Sequence, residues 1–231
     1  MQNEKLGIIG AMSMETEGLK AAMTEKNEVT VSGITFTEGL LEGTPAVVAT
    51  CGVGKVAAAM CAEAMILRFG VTALLNTGVA GGLAEGLCVC DAVVADHVVQ
   101  HDMDTTAIGD PAGLISGLNI IKIPADKRLS DALAAVCRAR GVNTVVGTVA
   151  SGDLFVAKQS DKDRIKALFD AAACEMEGAA IGHVCYVNRV DFVIIRSISD
   201  NADDTAGAME YPELCRRAAE QSQKLIAAYF A

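Results

Sequence analysis

Five residues of this chain have types and placements suited to acid–base chemistry: Glu15, Glu175, Glu177, Arg196 and Asp200. Glu15 follows the apolar run GIIGAMSM, Glu175 and Glu177 stand two apart in AAACEMEGAAIGHVCY, and Asp200 ends FVIIRSISD with Arg196 four residues before it. A carboxyl group raised in pKa by burial can donate or accept a proton near neutral pH, and two of them on opposite sides of a glycosidic bond can break it. The vicinal hydroxyls of a sugar are natural partners for the same groups. Each acid also has a simpler reading, as a cap or dipole partner of the helix that follows it. Taken without further context, the set points to a small polar ligand and no further.

For these acids to meet, the elements before them must end at one edge. Short runs rich in β-branched residues, LGIIG, ALLNTG, DAVVADHVVQ, NTVVGTVAS and DFVIIRSIS, read as strands. They alternate with helical patterns: a polar helix from Met14, KVAAAMCAEAMILRF, and further helices near 128–140, 160–169, 178–188 and 211–229. That alternation predicts an α/β fold, a single domain over 1–231 in three layers, with a central mixed, mostly parallel sheet flanked by helices. GITFTEGLLEGTPAVVATCG is the antiparallel exception, a hairpin turning near Gly43. In such sheets ligands gather at the carboxyl ends of the strands, where the acids stand. Strand alternation would put Glu175 and Glu177 on one face, unless the chain is already turning into the helix there. The stretch 101–129, rich in Gly, Pro and Asp, is the one long irregular connection and therefore a functional loop candidate.

Composition narrows the partners. The 231 residues are 52% hydrophobic, enough for a large core, and apolar runs fall short of the about 20 residues a bilayer requires. Nineteen basic against 29 acidic residues give a net charge of −10, which repels nucleic acid. The eight cysteines lie mostly in apolar runs, as buried reduced thiols do, and MQNEKLGIIGAM lacks a leader-like cleavage site, so a cytoplasmic location is expected.

Competing motifs fail on spacing. GIIGAM gives G-x-x-G and not the dinucleotide fingerprint; Gly54-Lys55 lacks both the upstream glycine and the following hydroxyl of a phosphate loop. His97 and His101 fall in or beside a strand, where residues four apart are ~13 Å from each other, so no metal site is expected. Ser151 in ASGDLF is not flanked as a hydrolase nucleophile.

Taken in order, GIIGAM with Glu15, GVGKVAAA, LLNTGVAGGL, HDMDTTAIG, SGDLF, CEMEGAAIGHVC and IIRSISDNAD resemble the bacterial 5′-methylthioadenosine/S-adenosylhomocysteine nucleosidases, from about residue 5 to residue 229. The resemblance implies a nucleoside phosphorylase-like fold and hydrolysis of adenine thionucleosides to adenine and a 5-thioribose. Carried over, Glu15 activates water, Asp200 holds the adenine and protonates its ring nitrogen 7, and Glu177 binds the ribose hydroxyls beside the Met176 backbone. Glu175 is supporting. Phe155 stacks on the base, the Val156 backbone reads its edge, and Arg196 and Ser199 stand near the catalytic acids. Met12, Val53 and Tyr211 would line the apolar 5′ pocket, completed by Thr105 and Ile108 on loop 101–113 of a homodimer partner. Carboxylates handle both protons and charge, so no cofactor or metal is expected.

Two departures stand out. Val79 occupies a position where many members have Ser, and Thr105 and Ile108 replace a common valine and phenylalanine. In the related hexameric phosphorylases the stretch from Asn76 carries Arg and Ser for phosphate; Asn76 and Val79 favour hydrolysis instead. The alternatives are a phosphorylase, a futalosine-type hydrolase and a catalytically weak adenosine-binding protein.

Overall fold

Period-two alternation divides the central strands between two hydrophobic layers. A computed structural model describes residues 5–203 and 210–230; residues 1–4, where the leader question begins, lie outside the described residues, as do 204–209 and 231. In chain order the elements are β1 (Leu6–Gly10), α1 (Ser13–Ala22), β2 (Thr24–Val31), β3 (Ile34–Leu41), β4 (Thr44–Thr50), α2 (Lys55–Phe69), β5 (Ala73–Gly82) and β6 (Ala92–Gln100). Then come a 3-10 turn (Thr106–Ile108), β7 (Ile123–Pro124), α3 (Lys127–Ala139), β8 (Thr144–Ser151), α4 (Gln159–Phe169), β9 (Ala171–Glu175), α5 (Gly178–Asn188), β10 (Asp191–Asp200) and α6 (Tyr211–Phe230).

Ile9, Val47, Val93 and Ile194 face a core shared with α2 and α5, while their neighbours Ile8, Val48, Val94 and Ile195 face one shared with α1, α3 and α6. Each fully buried aliphatic side chain contributes about 1.5–3 kcal/mol. This is the expected layered α/β architecture. β5 is buried along its whole length, as a strand covered on both faces must be.

The sheet is mixed, with parallel ladders through its middle: β4–β1–β5–β10, and β6–β8–β9. An open sheet does not describe it fully. β10 pairs with both β5 and β6, and β9 pairs with β5, so β5, β10, β6, β8 and β9 close into a ring. β1, β4, β3 and β2 extend from it as a wing. The expected β3–β4 hairpin turns at Glu42 and Gly43, both at positive φ, and a second hairpin turns at Ser32 and Gly33 in the same way. The second brings in β2, TEKNEVTV, whose polar, largely exposed residues hide any strand periodicity.

Candidate active site

β1 ends at Gly10 and the chain turns directly into α1, which puts Glu15 in the first helical turn. There it folds back: Oε2 accepts from the N–H groups of Ala11 (2.7 Å) and Met12 (2.9 Å), and Oε1 from that of Val79 (3.1 Å). The side chain thus serves the start of the helix while lying buried, 1% exposed. Burial pushes its pKa up, against the opposing pull of Arg196 and the three N–H groups.

β9 ends at Glu175 and α5 begins at Gly178. Glu175 turns the chain between them. It accepts from the N–H of Glu177 (3.0 Å) and of Gly178 (2.9 and 3.0 Å), from the Ser151 hydroxyl and from Arg196. The strand therefore stops before Glu177, which has φ −130° and ψ −41° at the helix N-cap. This corrects the expectation of a shared strand face: the turn, and not pleat alternation, brings the two glutamates to one guanidinium. Glu177 Oε1 accepts from the Gly54 N–H at 2.9 Å, and its other oxygen lies 3.6 Å from Arg196 Nη2. Burial, then Glu175, push Glu177 up to about 7.

Arg196, 1% exposed, sits beneath the cavity and not on its wall. Its Nη2 donates to Glu175 and to Asn76 Oδ1, and Asn76 is anchored in turn by donating to the Ile9 carbonyl at 2.9 Å. Burial alone would lower the Arg196 pKa, but Glu175, Glu177 and Glu15 together hold it up, so the cation is permanent. Gly78 leaves room for this arrangement: a Cβ there would overlap Arg196 Nη1 and stand 2.6 Å from Glu15 Oε1.

At the end of β10, Asp200 Oδ1 accepts from the Ala202 N–H at 2.8 Å and Oδ2 from the Ser199 hydroxyl at 2.7 Å. Ser199 Oγ is also 3.3 Å from the Ala80 carbonyl, so its single proton has two acceptors within reach.

The elements enclose a cavity of about 160 Å³ onto which Glu15, Glu175, Glu177 and Asp200 all open. Met12, Val53, Val79 and Tyr211 supply an apolar side, and Phe155, Val156, Met176 and Ser199 complete the predicted set found on its walls. Val79 packs with Cys215, Ala218 and Ala219 of α6, against Met12 and Tyr211. Phe155 meets Tyr211 edge-on, with ring centroids 5.5 Å apart. Among the described residues no Lys, Arg or His lines the cavity. Thr105 and Ile108 do not reach it: Thr105 donates to Asp110 at 2.9 Å, and Ile108 is 82% exposed on the loop.

Sequence reasoning named Asn76 only as a replacement for a phosphate-binding Arg, and missed Ser151 and Gly54 as parts of the site. The latter two had been set aside as a nucleophile and a phosphate loop; here a hydroxyl and a backbone N–H orient carboxylates instead. The nearby Cys51 thiol is pushed up to about 12 by burial, then by Glu177 and Glu15, which keeps it protonated and unreactive.

The phosphorylase superfamily model matches residues 5–231. The 5′-methylthioadenosine/S-adenosylhomocysteine nucleosidase of Shewanella baltica (strain OS155) is 40% identical over 204 residues, covering 87% of this chain and 85% of that protein. The Neisseria meningitidis nucleosidase of that name, solved with methylthio-immucillin-A, superposes with a TM-score of 0.94 at 34% identity, covering 98% of each chain. The futalosine hydrolase of Helicobacter pylori strain 26695 superposes at 0.92 with 33% identity, covering 98% of this chain and 97% of that one. With the fold, the four converging carboxylates and these likenesses in agreement, this chain belongs to the phosphorylase superfamily and, within it, to the 5′-methylthioadenosine/S-adenosylhomocysteine nucleosidases.

Proposed function

We propose that this protein hydrolyses the N-glycosidic bond of adenine nucleosides with an apolar or thioether 5′ group: 5′-methylthioadenosine, S-adenosylhomocysteine and 5′-deoxyadenosine. The products are adenine and the 5-substituted ribose, which places the enzyme in nucleoside catabolism and methionine salvage. One observation carries the reading: four carboxylates and no basic side chain open onto the cavity among the described residues. A phosphate dianion would find no cationic side chain on those walls, whereas water needs a base, which buried Glu15 supplies.

In the proposed step, the oxygen of water bonds to C1′ as the C1′–N9 bond breaks. Glu15 takes the water proton and Asp200 gives its proton to ring nitrogen 7 of the departing adenine; return of the proton from Glu15 to Asp200 through solvent resets the site. Carboxylate charge facing the cationic ribosyl group stabilises the separated charges. While Asp200 carries the proton, the Ser199 hydroxyl can turn to the Ala80 carbonyl and accept from Asp200. Glu177 and the Met176 backbone hold the ribose hydroxyls, Phe155 stacks on the base and the Val156 backbone reads its edge. Met12, Val53, Val79 and Tyr211 receive the 5′ group. Glu175 and Arg196 act through the other carboxylates.

The same reading places the chain in the cytoplasm as a homodimer over one domain, 1–231, with Thr105 and Ile108 closing the neighbour's cavity. Exposed apolar residues support an assembly face: Val56 and Met60 on α2, Val187 on α5, and Ile108 on the loop. Among the described residues no helix is long and apolar enough to cross a membrane.

The test is adenine release from each nucleoside in phosphate-free buffer, then with phosphate added. Release without phosphate is expected; release only with phosphate would make the enzyme a phosphorylase. Futalosine belongs in the same panel, because the Helicobacter pylori futalosine hydrolase shares this fold.

A further inference from the structure

Three segments around the cavity are tied together by a small polar ring that none of the steps above uses. The first is the N-terminus of α2, where the Gly54 N–H holds Glu177 and the next N–H, of Lys55, donates to Asp153 Oδ1 at 2.8 Å. The second is the 152–156 loop, where the Asp153 N–H donates to Asp102 Oδ2 at 2.9 Å, two residues before Phe155. The third is the root of the 101–113 loop, where Asp102 Oδ1 accepts from Lys55 Nζ at 2.7 Å and closes the ring. Lys55 Nζ is also 3.3 Å from Gln100 Oε1.

The ring is tight and partly screened from water. Lys55 and Asp102 side chains are 20% and 29% exposed. Gly54 has φ +100°, and a Cβ there would stand 3.0 Å from Asp153 Oδ1. A Cβ on Gly152 would come within 2.5 Å of the His101 ring. Both glycines therefore permit the segments to approach closely enough for the hydrogen bonds to form. Burial of Asp102 would raise its pKa, but Lys55 and the Asp153 N–H outweigh that and hold it below the usual carboxylate range, so it is ionised throughout the neutral range.

We infer that Asp153 and Asp102 are positioning residues that fix the gap between the sugar-holding Gly54–Glu177 pair and the base-stacking Phe155, and so set the width of the nucleoside slot. This rests on the proposed nucleosidase reading for the identity of the ligand. Neither aspartate touches the reacting atoms. Breaking the ring should therefore weaken ligand binding and leave the chemical step of bound substrate nearly intact.

The experiment uses the full-length protein, 5′-methylthioadenosine turnover and calorimetric adenine binding. Asp153→Ala should raise KM and the adenine Kd about tenfold, the scale of one lost hydrogen bond to a charged group, with kcat within about twofold. Asp153→Asn keeps an oxygen for the Lys55 N–H and should recover most of the loss. The Asp102→Ala/Asp153→Ala pair should be no worse than the poorer single variant, since both open the same ring.

Unchanged KM and adenine affinity in folded Asp153→Ala would overturn the inference. So would a fall in kcat and thermal midpoint that the Asn variant does not rescue. Should Asp153→Ala fail to fold, Asp102→Asn decides: a loss of adenine affinity that salt fails to deepen, because the Lys55 pair is already gone, supports the ring, and wild-type affinity overturns it. If the wild type binds adenine but turns over none of the nucleosides, the nucleosidase reading fails by itself and adenine affinity in the variants still decides the inference. A wild type that binds no adenine overturns both.

Discussion

The floor and the mouth of the cavity are built on opposite terms. On the floor, Arg196, Glu175, Asn76 and Ser151 are buried and bonded to one another and to backbone N–H groups. At the mouth, Val53 is 58% and Phe155 47% exposed, apolar surfaces facing solvent. The floor is already organised for charge, and preorganisation of that kind is what electrostatic catalysis requires. The mouth contributes area and fit, which the ligand and, in the proposed dimer, the neighbour's loop complete. Loss of a floor residue should therefore cost rate or stability, and loss of a mouth residue should cost affinity.

The sharpest attempt to break this contrast is Glu15→Gln. It keeps the shape and removes the base, so kcat should fall about 10³-fold or more while adenine binding persists; a fully active variant would end the mechanism. Next, Glu175→Ala removes the closest partner of a buried cation and should cost about 3 kcal/mol, read as a lower denaturation midpoint in urea. An unchanged midpoint would mean that Glu177 alone compensates Arg196.

Glu177 stands between the two regions, opening onto the cavity while facing Arg196, and Glu177→Gln tests its burial through pH. The folded pKa of Glu177, about 7, lies above the ordinary 4.5, so the folded state disfavours the ionised form. Stability associated with the protonated group is present below about 4.5 and lost as pH rises through 7. The Gln variant should thus melt above the wild type at pH 8, with the difference closing by pH 4, even as ribose binding weakens. Equal melting curves at both pH values would contradict the burial effect. The smallest change belongs to the mouth: Phe155→Ala should raise KM about tenfold with little change in kcat, the scale of one lost stacking contact. A collapse of kcat instead would erase the distinction between the two regions.

Much of this layout was legible in the sequence, for reasons that also explain what was not. Strands such as FVIIRSIS declare themselves because both faces are buried, and the acids that follow them mark the site by standing where strands end. The 211–229 helix declares itself by its 3.6-residue period. TEKNEVTV does not announce a strand, because its pairing partner, and not a buried face, holds it extended. The floor around Arg196 was hidden for another reason. Asn76 and Ser151 lie 120 and 45 positions before Arg196 in the chain, and only closure of the strand ring sets Ser151, Glu175 and Arg196 side by side. Glu177 was placed near its neighbour by the wrong geometry, since alternation knows nothing of a carboxylate that turns its own chain.

That ring has a further consequence, for what happens between molecules in a crowded solution. By pairing β10 with both β5 and β6 it leaves β2 as the long strand with an unpaired side. An unpaired backbone edge is a template on which another copy can add strands without limit. β2 carries Glu25, Lys26 and Glu28 in a largely exposed stretch, and its register slips between Thr24 and Asn27, which bends the edge out of line. Among the described residues the long rim open to runaway stacking is thus charged and irregular, which guards it against adding further copies.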